Sequence, residues 1–123
     1  MHSAGLGREG EERAAGLLEA AGMSIIAKNV RSQRGEVDIV ALDGETIVFV
    51  EVKAWSVYGM EDLQYGLNLK KQRRIIETAK YFLSTHREYN RKAVRFDVIF
   101  VGKDALSGEP AVTHLASAFT ERV

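Results

Sequence analysis

The fold class that this sequence predicts is a single α/β domain, with a mixed β-sheet flanked by helices, and three observations point to it. Two stretches, Gly7 to Ala21 and Leu69 to Thr85, repeat apolar residues at the spacing of a helix packed on one side. Between them lie three short runs rich in β-branched and apolar residues, and Asp43-Gly44 joins two of these as a hairpin turn signal. A further alternating run follows the second helix, so strands stand on both sides of it in the chain.

The first helix sets Ala14, Leu17, Leu18 and Ala21 on one side and stops at Gly22, with Glu11 one turn before Ala14 at the edge of that stripe. Ser24 to Val30 reads as a strand, and Arg31 to Gly35 as a flexible basic turn whose Arg31 and Arg34 either grip a phosphate or simply face solvent. Glu36 to Leu42 and Thr46 to Lys53 form the two arms of the hairpin. Ala54 to Gly66 is expected to be a mobile loop, in which Trp55 and Tyr58 pack on the core or stack on bases.

The second helix buries Leu69, Ile75, Ile76, Ala79, Phe82 and Leu83, and carries Lys70, Lys71, Arg73 and Arg74 in its first turns. Val94, Phe96, Val98 and Phe100 alternate with Arg95 and Asp97, which predicts a half-buried strand and a structural role for Asp97, paired with Arg95 or a helix N-terminus. Gly108-Glu109-Pro110 reads as a turn before a last strand over Ala111 to Leu115.

Composition fits one compact domain spanning residues 1–123, with 46% hydrophobic and 28% charged residues. The absence of cysteine excludes disulfides and thiolate metal sites. No apolar run reaches the roughly 18 residues of a membrane span, and Met1 to Gly5 lacks the pattern of a signal segment, so a cytoplasmic protein without membrane association is expected. With 17 basic and 17 acidic residues the chain is no polycation that coats nucleic acid by bulk charge.

The most informative residues lie on the hairpin, where Asp38 stands thirteen positions before Glu51 and Lys53 follows two later. Side chains alternate along a strand, so Glu51 and Lys53 share a face. A two-residue loop at Asp43-Gly44 would set Asp38 opposite Phe49 with Glu51 diagonal to it, and a four-residue loop would set Asp38 directly opposite Glu51. Either register brings two like charges together, which is costly unless a cation or a proton lies between them. Oxygen donors suit Mg2+ or Mn2+, and the backbone carbonyl of Val52 lies in position to complete the shell. Lys53 would orient or help deprotonate an attacking water. The plainer reading is an exposed Glu51–Lys53 pair on a surface hairpin.

Asp38 followed by Glu51-Val52-Lys53 resembles the PD-(D/E)-x-K nuclease superfamily, and within it most closely the small bacterial family named after YraN. Gly7 to Glu11, Asn29-Val30-Arg31 with Gly35 to Asp38, Phe49 to Lys53 and Arg95 to Val98 carry the likeness, over roughly residues 5 to 101. The resemblance implies a restriction-endonuclease-like fold, a Mg2+-dependent endonuclease activity, and Glu11 as a further acidic member of the site. It also matches Lys71 and Arg74 to a Lys-x-x-Arg beside the active site. Val37 stands where the superfamily name has proline, and Ala54-Trp55 where relatives carry hydroxyl or basic residues.

The expected function is hydrolysis of phosphodiester bonds in DNA, with branched or junction DNA among the substrates. The alternative is a non-catalytic module that binds nucleic acid or a protein partner. Junction-cleaving relatives act in pairs, so a homodimer is open to this chain, as is a partner supplying specificity. No Walker loop, Gly-x-Ser-x-Gly elbow or His-Glu-x-x-His occurs, and His2, His86 and His114 read as surface or loop histidines.

Overall fold

The computed structural model describes residues 4–54, 68–104 and 106–121, with side chains from residue 8 onward. Helix α1 (Ala4–Ala20) leads into strands β1 (Ser24–Arg31), β2 (Glu36–Asp43) and β3 (Thr46–Ala54). Helix α2 (Leu69–Thr85) and a short 3-10 turn (Arg87–Tyr89) precede β4 (Ala93–Lys103) and β5 (Pro110–Phe119). The five strands form one mixed sheet in the order β1-β2-β3-β4-β5, with β3 and β4 parallel and the other pairs antiparallel. This is the α/β arrangement of a restriction-endonuclease-like fold.

Helix α1 ends where Gly22 adopts φ 93°, which glycine reaches without steric cost. The Gly22 N–H donates to the Glu19 carbonyl and the Met23 N–H to that of Leu18, while Met23 packs beside Leu18, so the last carbonyls are satisfied as the chain turns into β1. Asn68 caps α2 by accepting the Lys71 N–H on its Oδ1 at 2.9 Å.

Each helix covers one face of the sheet. Ala14, Ala15 and Leu18 of α1 pack on Ile39, Ala41, Val48, Val50, Val52, Ile99 and Val101. Ile75, Ile76, Ala79 and Phe82 of α2 pack on Val40, Ile47, Phe49, Phe96, Val98 and Phe100. Phe49 sits edge-on to Phe82 and stacks with Phe96, which stacks with Phe119 in turn. Because β4 lies between two covered faces, Phe96 through Val101 are all buried, in contrast to the half-buried strand that alternation predicts. At its start Val94 is exposed instead.

The β2–β3 loop is Gly44-Glu45, closed by the pair Asp43↔Thr46, one position later than Asp43-Gly44. A positive φ is found at Gly44 alone, the first loop residue, as a type II′ turn requires. Asp43 stays in the strand, where its Oδ2 accepts from Arg95 Nη1 at 3.0 Å. Among the described residues no helix is long and apolar enough to cross a membrane.

Candidate functional site at the end of the central strands

The β2–β3 ladder pairs Ile39 with Val50, and one step further Asp38 comes level with Glu51. This is the register in which the two acids oppose directly. Asp38 is 3% exposed, and its Oδ2 accepts the Val52 backbone N–H at 2.7 Å. The Glu51 side chain lies close enough to the same carboxyl group for a hydrogen bond between them. Two carboxyl groups can share such a bond only if one is protonated. Burial, the Asp38 charge and that hydrogen bond push Glu51 from 4.5 up to about 9, against the opposing pull of Lys53 and Lys71. At neutral pH the pair therefore retains a proton.

Glu51 and Lys53 continue the alternation of Ile47 and Phe49, the β3 residues that face α2. There Lys53 lies beside Lys71, in the first turn of α2. Burial first, and then the neighbouring Lys71, hold the Lys53 ammonium below its ordinary range, with Glu51 acting the other way. The resemblance places Lys71 beside the active site as one of the nucleic-acid-binding cations, and the fold brings it next to Lys53 and Glu51. The signal lies in the first turn of α2, which has lysines at 70 and 71 and no acid, opposite to the helix-dipole preference.

Glu11 is also buried, on the α1 stripe with Ala14, Ala15 and Leu18. Among the described residues no three acidic or histidine side chains form a metal-binding group, so the acids united by the structure are Asp38 and Glu51. Val52 reaches the pair through its N–H. A pair of carboxyl groups sharing a proton suits a hard divalent cation, which would take the proton's place. Across the sheet, Asn29 lies opposite Asp38 by register and adopts φ 54°, a left-handed conformation that asparagine tolerates better than most residues.

The basic turn is docked rather than loose. Ser32 Oγ lies 2.8 Å from Thr78 Oγ1 on α2 and accepts the N–H groups of Arg34 and Gly35. Arg31 Nε is bonded to Glu36 Oε2 at 2.8 Å, while Arg34 and Arg74 are exposed. Trp55, Tyr58 and Tyr65 lie outside the described residues.

Asp97 has the structural role expected of it. Arg95 binds it with Nε and Nη2 at 2.9 and 3.0 Å, and the Ser117 N–H donates at 3.0 Å. His114 Nε2 lies 2.7 Å from its Oδ2, so this histidine is a strand residue inside a polar network and not a surface one. His86 terminates α2 and stacks on Phe82 at 3.9 Å between ring centres.

A family model described as "Uncharacterised protein family UPF0102" matches residues 10–101, which include Glu11, Asp38, Glu51, Lys53, Lys71 and Arg74. The chain is 43% identical over 123 residues to a UPF0102 protein of Treponema pallidum (strain Nichols), covering 99% of this chain and 98% of that one. It is 42% identical over 122 residues to one from Treponema denticola, with 93% and 94% covered. A UPF0102 protein of Alcanivorax borkumensis is 37% identical over 99 residues, with 80% and 79% covered. The chain belongs to the UPF0102 family, the YraN-like group that its hairpin residues resemble.

Proposed function

We propose that this protein is a Mg2+- or Mn2+-dependent nuclease that hydrolyses phosphodiester bonds of DNA. The observation that carries the reading is Asp38 set level with Glu51 across β2 and β3, with Lys53 and Lys71 beside them. A protein that only bound nucleic acid would gain nothing from concentrating carboxylates where phosphates must lie. Asp38 and Glu51 would hold the cation, with Glu11 and the Val52 carbonyl as further candidates. When bound, that ion supplies Lewis acidity toward a phosphoryl oxygen and acidifies water. Lys53, whose ammonium is held below its ordinary range, orients the attacking water and gives up its own proton more easily than an ordinary lysine, which brings the neutral amine that can act as a base within closer reach. Lys71 offsets the charge that builds on the phosphoryl group.

Labelled DNA and RNA in duplex, flap, junction and single-stranded form, incubated with Mg2+ or Mn2+, test this reading. Asp38→Ala and Lys53→Ala should each lower cleavage by about two orders of magnitude or more. Cleavage that persists in both variants would refute the site, and binding without cleavage across the panel would favour a non-catalytic module.

A further inference from the structure

We infer that Arg34, in the β1–β2 turn, and Arg74, in the second turn of α2, form one clamp for a single backbone phosphate, next to the phosphate addressed by Lys53 and Lys71. The clamp rests on the proposed nucleic-acid substrate, and adds which cations hold the strand and how far they lie from the chemistry.

In the sequence, Arg31 and Arg34 are equivalent arginines of one basic turn, but the structure separates them. The Arg31 guanidinium is taken by Glu36 at 2.8 Å. Neither Arg34 nor Arg74 has an acidic side-chain partner among the described residues, and both are exposed. The turn is pressed against the helix beside them. A Cβ placed on Gly35 would stand 3.1 Å from Arg74 Cβ and 3.4 Å from its carbonyl oxygen, so only glycine fits there without a shift.

Hydroxyl groups fix this contact. Thr78 donates its hydroxyl proton to the Arg74 carbonyl at 2.9 Å, so Ser32 is the donor in the 2.8 Å bond between Ser32 and Thr78. Ser32 Oγ in turn accepts the Arg34 N–H at 3.1 Å. Arg34 and Arg74 thus branch from two backbones joined by a short relay of hydrogen bonds. Two cations carried on touching segments, neither with an acidic partner among the described residues, are both open to an anion. Phosphate matches the guanidinium fork and accepts from two forks at once.

The position of the pair sets its role. Lys71 and Arg74 are three residues apart on α2, about 4.5 Å along the helix axis. Successive phosphates of one strand advance about 3.4 Å along a duplex axis, so side chains of this reach address neighbouring phosphates of the same strand. The clamp would fix the strand beside the bond to be cut.

Fluorescence anisotropy with labelled single-stranded and duplex DNA, in EDTA at about 50 to 200 mM salt, tests the clamp without depending on cleavage. Arg34→Ala and Arg74→Ala should each weaken binding about three- to tenfold and lower the salt slope by about one, while Arg31→Ala stays within about twofold of wild type. Since both arginines hold the same phosphate, the double variant should match either single one. Unchanged binding in both single variants, or a double variant whose slope falls by about two, overturns the clamp and leaves the acid site to the cleavage assay. Failure of the wild type to bind any DNA removes the nucleic-acid reading, and the clamp with it.

Discussion

Two carboxyl groups in this chain, the buried Asp97 and the half-buried Glu51, are driven to opposite protonation states by what faces them. At Asp97 burial opposes ionisation, but the Arg95 fork, the Ser117 N–H and His114 outweigh it and hold the acid below its ordinary range. At Glu51 burial acts with the facing Asp38, and the proton stays on. Because the folded-state value of Asp97 is depressed, its contribution to stability is present above the unfolded value near pH 4 and is lost as pH falls through the folded one. Asp97→Asn should therefore cost about 3 kcal/mol at pH 7, where it leaves Arg95 with Asp43 as its remaining acidic partner, and progressively less below about pH 4. Urea midpoints of both proteins at pH 3, 4 and 7 measure this, and a constant difference across that range would rule out the assignment.

Among the elements, the β1–β2 turn and α2 depend on each other. Thr78→Val keeps the shape but leaves the Ser32 hydroxyl without its acceptor, and should cost about 1–2 kcal/mol in chemical denaturation. Gly35→Ala should cost about 1–3 kcal/mol by forcing the turn off the helix, and a variant as stable as wild type would show that the turn is not docked. This contact joins residues 46 apart, so nothing local in Arg31 to Gly35 announced it, and the segment reads as a flexible loop in the sequence. The same cause moved the hairpin turn by one residue, because the pull on Asp43 comes from Arg95, 52 positions away. What survives is decided by local pattern. Continuous runs of β-branched and apolar residues mark β2 and β3, periodicity marks α2 from Leu69 to Thr85, and the shared face of Asp38 and Glu51 follows from their parity. His114 escaped notice because its partner lies on a neighbouring strand and its own surroundings carry no motif.

At the scale of the whole molecule, two helices clamp the sheet from opposite faces, so the ends of β2 and β3 are held by apolar packing that the acid pair itself opposes. Glu51 keeps its proton up to about pH 9 when folded but loses it near 4.5 when unfolded. The folded state thus binds more protons between these values, and stability must fall as pH rises from about 5 to 9. Glu51→Gln, which resembles the protonated acid, should flatten that decline. A divalent cation should oppose it from the other side, by compensating the charge that the pair otherwise rejects. With Mg2+ or Mn2+ at about a hundred times its dissociation constant, wild type should gain about 2.7 kcal/mol, a rise of several degrees in Tm. Asp38→Asn and Glu51→Gln should lose that gain while still unfolding cooperatively, and Arg34→Ala should keep it. Thermal melts with and without the cation at pH 6 and pH 8 measure both effects. An equal shift in all four proteins would place the cation elsewhere on the surface and leave Asp38 and Glu51 as an acid pair with no metal to hold.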